Sequence, residues 1–121
     1  MAHLKFTHRL IPLRLSRSSD SSIDIVFQIE NKSDKELLLS IEGRLPKDAL
    51  LGFDPNLVHR RAMKKIGTVQ PGEYVEASLR IYGARQTPPG DYPVLLIVNE
   101  HYMDYSKVME EYKRVATIRV I

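Results

Sequence analysis

The segment from Ile23 to Glu30 alternates without a break: Ile23, Ile25, Phe27 and Ile29 point one way, and Asp24, Val26, Gln28 and Glu30 the other. A period of two marks a β-strand with one buried face. Asn31-Lys32-Ser33-Asp34-Lys35 follows as a turn rich in residues that hydrogen-bond their own backbone. Leu37, Leu39 and Ile41 then resume the alternation, so the pair is expected to form a hairpin with one buried face, ended by Gly43 and Pro46.

The same period recurs along the chain. Leu4, Phe6, His8 and Leu10 share a face, Pro12 interrupts, and Leu13 and Leu15 resume in the opposite phase, as in an edge strand that kinks or changes sheet. Arg17 to Ser22 reads as a polar turn. Residues 46–67 are the least legible stretch and are assigned to a crossover with a short strand near its end. Pro71-Gly72-Glu73 is a turn, followed at strand spacing by Val75, Ala77, Leu79 and Ile81. Gln86 to Asp91 forms a stiffer turn. Tyr92 to Val98 is apolar throughout, as a central strand covered on both faces is, with Pro93 tolerated near its start. Residues 99–114 fit either a long hairpin or a short helix, and the flanking strands favour the hairpin. Val115 to Ile121 closes the chain as a last strand. The sum is an all-β chain of about seven antiparallel strands with Greek-key connections, in which wide connections favour a sandwich over a barrel.

At 121 residues the chain has the length of one domain, spanning 1–121, and buries roughly two-thirds of the surface its unfolded form exposes. Aromatic residues make up 7%, so Leu, Ile and Val must supply the core. There is no cysteine, which excludes disulfides, thiolate metal sites and a cysteine nucleophile. With no signal-peptide pattern at the N-terminus and no apolar run approaching a membrane span, a cytoplasmic location without membrane insertion is expected. Asn31-Lys32-Ser33 matches a glycosylation sequon and is taken as chance in that setting.

Three motifs stand in order: Ile29-Glu30-Asn31-Lys32-Ser33-Asp34, then Ile66-Gly67-Thr68-Val69-Gln70-Pro71-Gly72-Glu73, then Thr87-Pro88-Pro89-Gly90-Asp91-Tyr92. Over residues 23–98 this order resembles the CARDB-like immunoglobulin-like domains of archaea and bacteria and, more loosely, the major sperm protein and PapD-like sandwiches. The resemblance implies an immunoglobulin-like β-sandwich. It also puts Tyr92 in the place of a tyrosine-corner residue, whose hydroxyl bonds backbone a few residues upstream. Two features depart from such domains. Such domains usually occur as repeats or appendages of exported proteins, whereas this chain is expected to stand alone without a signal peptide, and the crossover with its basic cluster has no counterpart in their motif.

Little in the chain suggests catalysis. His3 and His8 fall on opposite faces of a regular strand, and His59 and His101 have no acid or histidine two or four residues away. Ser18, Ser19, Ser21 and Ser22 lack a nucleophile elbow. Glu110 and Glu111 are adjacent, so on a strand they diverge. The chain is therefore expected not to be an enzyme, and to need no metal or cofactor.

Two surfaces suggest partners instead. Arg60, Arg61, Lys64 and Lys65 stand without an acid within residues 57–72 and suit phosphate contacts, although no aromatic accompanies them for base stacking. Tyr102, Met103 and Tyr105 cluster where a hairpin tip is expected, and such residues favour interfaces. The expected function is a non-catalytic interaction or assembly module, with a protein partner or a homo-oligomer through an edge strand. The alternative is an accessory binder of nucleic acid or another anionic surface through residues 59–65.

Overall fold

Strands that alternate apolar and polar residues must cover their apolar faces, and here they do so by placing two sheets on one apolar layer. The computed structural model describes residues 3–16 and 22–121. The polar turn expected from Arg17, with Ser18, Ser19 and Ser21, lies outside the described residues. Nine strands follow in chain order: β1 (Leu4–Ile11), β2 (Arg14–Leu15), β3 (Ser22–Asn31), β4 (Leu37–Arg44), β5 (Leu51–Gly52), β6 (Arg61–Val69), β7 (Tyr74–Gly83), β8 (Gly90–His101) and β9 (Val108–Val120). Among the described residues there is no helix. One sheet has the order β1-β3-β7-β5 and the other β2-β9-β8-β4-β6.

The faces predicted from the alternation of β3 and β4 are the faces buried, whereas Leu13, expected on the face of Leu15, is exposed. Ile23, Ile25, Phe27 and Ile29 of β3 are inaccessible and share one cluster with Leu39 and Ile41 of β4 and with Leu96 and Val98 of β8. Burying each such side chain contributes about 1.5–3 kcal/mol. Phe6 of β1 stacks on Phe27, ring centroids 5.5 Å apart. Residues 99–114 form the hairpin, because β8 continues to His101 and β9 starts at Val108.

Three expectations are corrected. β3 and β4 do not form a hairpin: β3 pairs with β1 and β7, and β4 pairs with β6 and β8 in the opposite sheet. Two strands with one apolar face each are equally satisfied side by side or facing one another, and alternation does not distinguish the two. The strands are not all antiparallel, since β2 pairs with β9 in parallel. β2 follows β1 past Pro12 without a hairpin and joins the opposite sheet, where buried Leu15 packs so closely on Gly83 that a Cβ there would collide with Leu15 Cδ2. Finally, the crossover holds more strand than expected, with β6 nine residues long and β5 set against β7.

Candidate interaction surface

Register determines which side chains share the outer face of the five-stranded sheet. Arg61, Arg44, Leu95 and Val115 lie in one row across β6, β4, β8 and β9, and Met63, Glu42, Ile97 and Lys113 lie in the next. Lys65, Ser40, Asn99 and Glu111 form the third row. Ile97 is inaccessible yet outside the main core cluster, so the outer face has a small covered centre of its own. Met63 and Val115, about half to two-thirds exposed, leave apolar surface on that face.

Each cation of the basic segment has a partner inside the chain. Arg61 Nε lies 2.8 Å from Glu42 Oε2, the oxygen that also accepts from Arg44 Nε at 2.6 Å. Arg60 Nε donates to the Ala49 carbonyl at 3.2 Å, and Lys64 Nζ donates to the Ser78 carbonyl on β7 at 3.3 Å. Lys65 Nζ sits 5.0 Å from the centroid of the Tyr105 ring, a cation–π distance. Lys64 and Lys65 are paired with Ile41 and Ser40, which face opposite sides of the sheet, so the four cations do not form one patch. Asp54 organises the loop that leads in, accepting from the Val58 and His59 amides at 2.9 and 2.7 Å. Those amide bonds, that of His59 foremost, hold its carboxyl below the usual aspartate range.

The tip of the β8–β9 hairpin separates the three residues expected there. Tyr102 and Met103 are exposed, Met103 at a φ of 69°, whereas Tyr105 folds back with its ring 5.0 Å from that of His101. Beneath it His101 Nε2 is 2.7 Å from Ser40 Oγ, and His101 Nδ1 is 3.2 Å from the Lys107 carbonyl. Ser40 is inaccessible, so this Ser–His contact is structural and does not present a nucleophile. At the start of β8 the Tyr92 hydroxyl donates to the Pro88 carbonyl at 2.6 Å.

Sequence reasoning missed the buried polar groups Ser40, Glu42, Asn99, Glu100 and His101. On the core side Glu100 Oε1 lies 3.1 Å from His3 Nδ1 and accepts from the Tyr112 hydroxyl at 3.2 Å. Burial pushes the Tyr112 hydroxyl above the ordinary tyrosine range. Glu100, His101, Met103 and Met109 border a groove of ≈ 350 Å³ at that end of the sheet. Among the described residues no group of three or more histidines and acids is placed to hold a metal ion. No helix of the described chain is long and apolar enough to cross a membrane.

The sequence matches no protein-family model. It matches no curated protein either. Solved structures do match. A FixG-related protein from Vibrio parahaemolyticus superimposes with a TM-score of 0.61 at 8% identity, over 99% of this chain and 98% of that one. An Escherichia coli alpha-2-macroglobulin, spanning domain MG7 to the C-terminus, gives 0.59 at 17% identity over 99% of this chain and 17% of that one. The Pseudomonas fluorescens alkylpurine DNA glycosylase AlkC, bound to DNA with an abasic-site analog, gives 0.53 at 13% identity over 98% of this chain and 30% of that one. At these identities the likeness is one of fold alone, and that fold is an all-β, sandwich-like pair of sheets.

Proposed function

We propose that this chain is a non-catalytic interaction and assembly module on an immunoglobulin-like Greek-key sandwich, working through the outer face and free edge of its five-stranded sheet. The observation that carries this is β9, thirteen residues long and, among the described residues, met on its far side by only two residues of β2. Exposed Val108, Met109 and Val115 lie along it and exposed Met63 lies across the same face. An uncovered strand next to apolar surface is a site for a partner.

The finer fold assignment has support in three places. Crossovers put β7 beside β3 and β4 between β8 and β6, as Greek-key connections do. The Tyr92–Pro88 bond supports a tyrosine corner. The first two motif turns of the CARDB-like pattern touch, Gly72 N donating to Asn31 O at 2.9 Å.

Sedimentation of the purified chain from micromolar to millimolar concentration tests the functional proposal, together with saturable binding of proteins from its own host to the immobilised chain. A concentration-dependent rise in mass, or saturable binding that a Met63→Glu/Val115→Glu variant loses, is expected. A strictly monomeric chain with no saturable partner overturns it. The internal partners of Arg60, Arg61, Lys64 and Lys65 favour a structural use of that segment over nucleic-acid binding.

A further inference from the structure

One side of β9 is paired with β8 from Gly90 opposite Val120 to His101 opposite Val108, but on the other side β2 meets only Arg119 and Val120. Among the described residues, the backbone along residues 108–118 therefore has no strand on that side, which is the arrangement that accepts an added strand.

The remaining edges are already engaged or repel their own copies. Among the described residues β5 meets β7 only at Tyr82 and Gly83, but Lys64 Nζ takes the Ser78 carbonyl, and Glu76 and Arg80 already pair with Arg9 and Asp24. β1 carries Lys5, His8 and Arg9 with no acid, and β6 carries Arg61, Lys64 and Lys65 with no acid. Two copies of either strand, laid side by side, set like charges together.

We propose, building on the assembly-module assignment above, that a second copy of this chain adds to β9 antiparallel and edge to edge, across a twofold axis at Tyr112. Directly opposite residues of an antiparallel pair point to the same face. A twofold axis perpendicular to the sheet preserves faces, so it must pass between two copies of one residue. Centring on Glu110, Glu111, Lys113 or Arg114 puts two like charges on the axis. Centring on Val115 leaves residues 112–118 for pairing, since β2 already occupies Arg119, and sets no acid opposite a base. Centring on Tyr112 sets Glu111 opposite Lys113 and Glu110 opposite Arg114, each twice by symmetry, within the regular stretch that the bulge at Met109 ends.

Within the described chain Glu110, Glu111 and Lys113 have no ion-pair partner. Arg114 uses Nε toward His8 Nδ1 and Nη1 toward the Phe6 carbonyl. The strand thus holds a self-complementary set of charges of which the monomer uses only Arg114. Val115 and Met109, both about half-exposed or more in the monomer, flank that charged stretch with apolar surface.

The test uses sedimentation velocity on the full chain with two single variants, E111K and K113E, whose side chains are exposed in the monomer and make no bond among the described residues. Thermal melting first checks that both fold. Each variant alone places like charges opposite one another at two symmetric positions and is expected to self-associate on the order of ten- to a hundred-fold more weakly than the native chain. The double variant E111K/K113E restores the dimer, and an equimolar mixture of the two single variants forms a heterodimer. If the native chain dimerises and both single variants dimerise equally well, the β9 register is overturned while the assembly role stands. If the native chain stays monomeric at millimolar concentration, self-pairing is overturned, and the assembly role then depends on the saturable heterologous binding described above.

Discussion

The side-chain amide of Asn31 donates to the Val69 carbonyl at 2.9 Å, although the two residues are 38 apart in sequence. Asn31 closes β3, and Val69 closes β6 in the opposite sheet, so this one side chain ties the two layers together at their common end. The same nitrogen donates to the Lys35 carbonyl at 2.9 Å, and Oδ1 accepts from Ser33 N and Ser33 Oγ. With the side chain buried and both amide hydrogens used, the sequon has no room for a glycan.

Asn31→Ala is therefore expected to cost about 2–4 kcal/mol, because it strands buried carbonyl acceptors as well as removing bonds. Asn31→Asp is expected to cost more, since it sets a carboxylate against two carbonyl oxygens. Urea unfolding of both variants measures this; a native-like midpoint for either would show that the tie is dispensable.

Tyr92→Phe removes only the hydroxyl that donates to Pro88, leaving the ring in place. A loss of about 1 kcal/mol is expected. The same substitution at exposed Tyr102, for which no hydrogen bond of the hydroxyl is seen, serves as control and is expected to leave the unfolding midpoint unchanged.

Glu42 is buried, and both of its arginines share Oε2 while remaining 43% and 64% exposed. Either arginine can hold the carboxylate when the other is lost. Arg44→Ala and Arg61→Ala are each expected to cost about 0.5–1 kcal/mol, given solvent screening. The double variant is expected to exceed their sum, because it leaves a buried charge unpaired. A double-mutant cycle with strict additivity would contradict the shared-oxygen arrangement.

His8 is held below the ordinary histidine pKa of 6.5, by burial first and by the Arg114 guanidinium second. The Arg114 Nε–H donates to His8 Nδ1 at 3.3 Å, which requires that nitrogen to be unprotonated. The unfolded chain takes up this proton at a higher pH than the folded one. The stabilising contribution of neutral His8 is thus fully present above pH 6.5 and is lost as pH falls toward the depressed folded value. His8→Gln is expected to flatten the pH dependence of stability below pH 6.5 relative to the native chain, as followed by thermal melting across buffers. An unchanged slope would show that His8 does not titrate differently on folding.

Much of the fold was legible because the period-two signal is local. The alternation at Ile23 to Ile29 and at Leu37 to Ile41 named the buried side chains without reference to anything distant. The pairing of those strands was not legible. β3 and β4 read as a hairpin but lie in opposite sheets, because an apolar face is satisfied either way and the bonds of Asn31 turn the chain across the core. The site shows the same division. Arg60, Arg61, Lys64 and Lys65 were visible as a cluster, but their separation by sheet side and their partners Glu42, Ala49, Ser78 and Tyr105 come from distant parts of the chain.

By itself, then, the sequence determined the strand faces, the aliphatic core and the turn positions, all of which depend on residues within a few places of one another. Only the tertiary structure decided which strands became edges, that Ser40 and Glu42 would be covered on an outward face, and that, among the described residues, most of β9 would keep a free side with Glu111 and Lys113 lacking an ion-pair partner. Those properties depend on which strand lies next to which. In a sheet that choice is made by contacts between segments far apart in the chain, which no local period records.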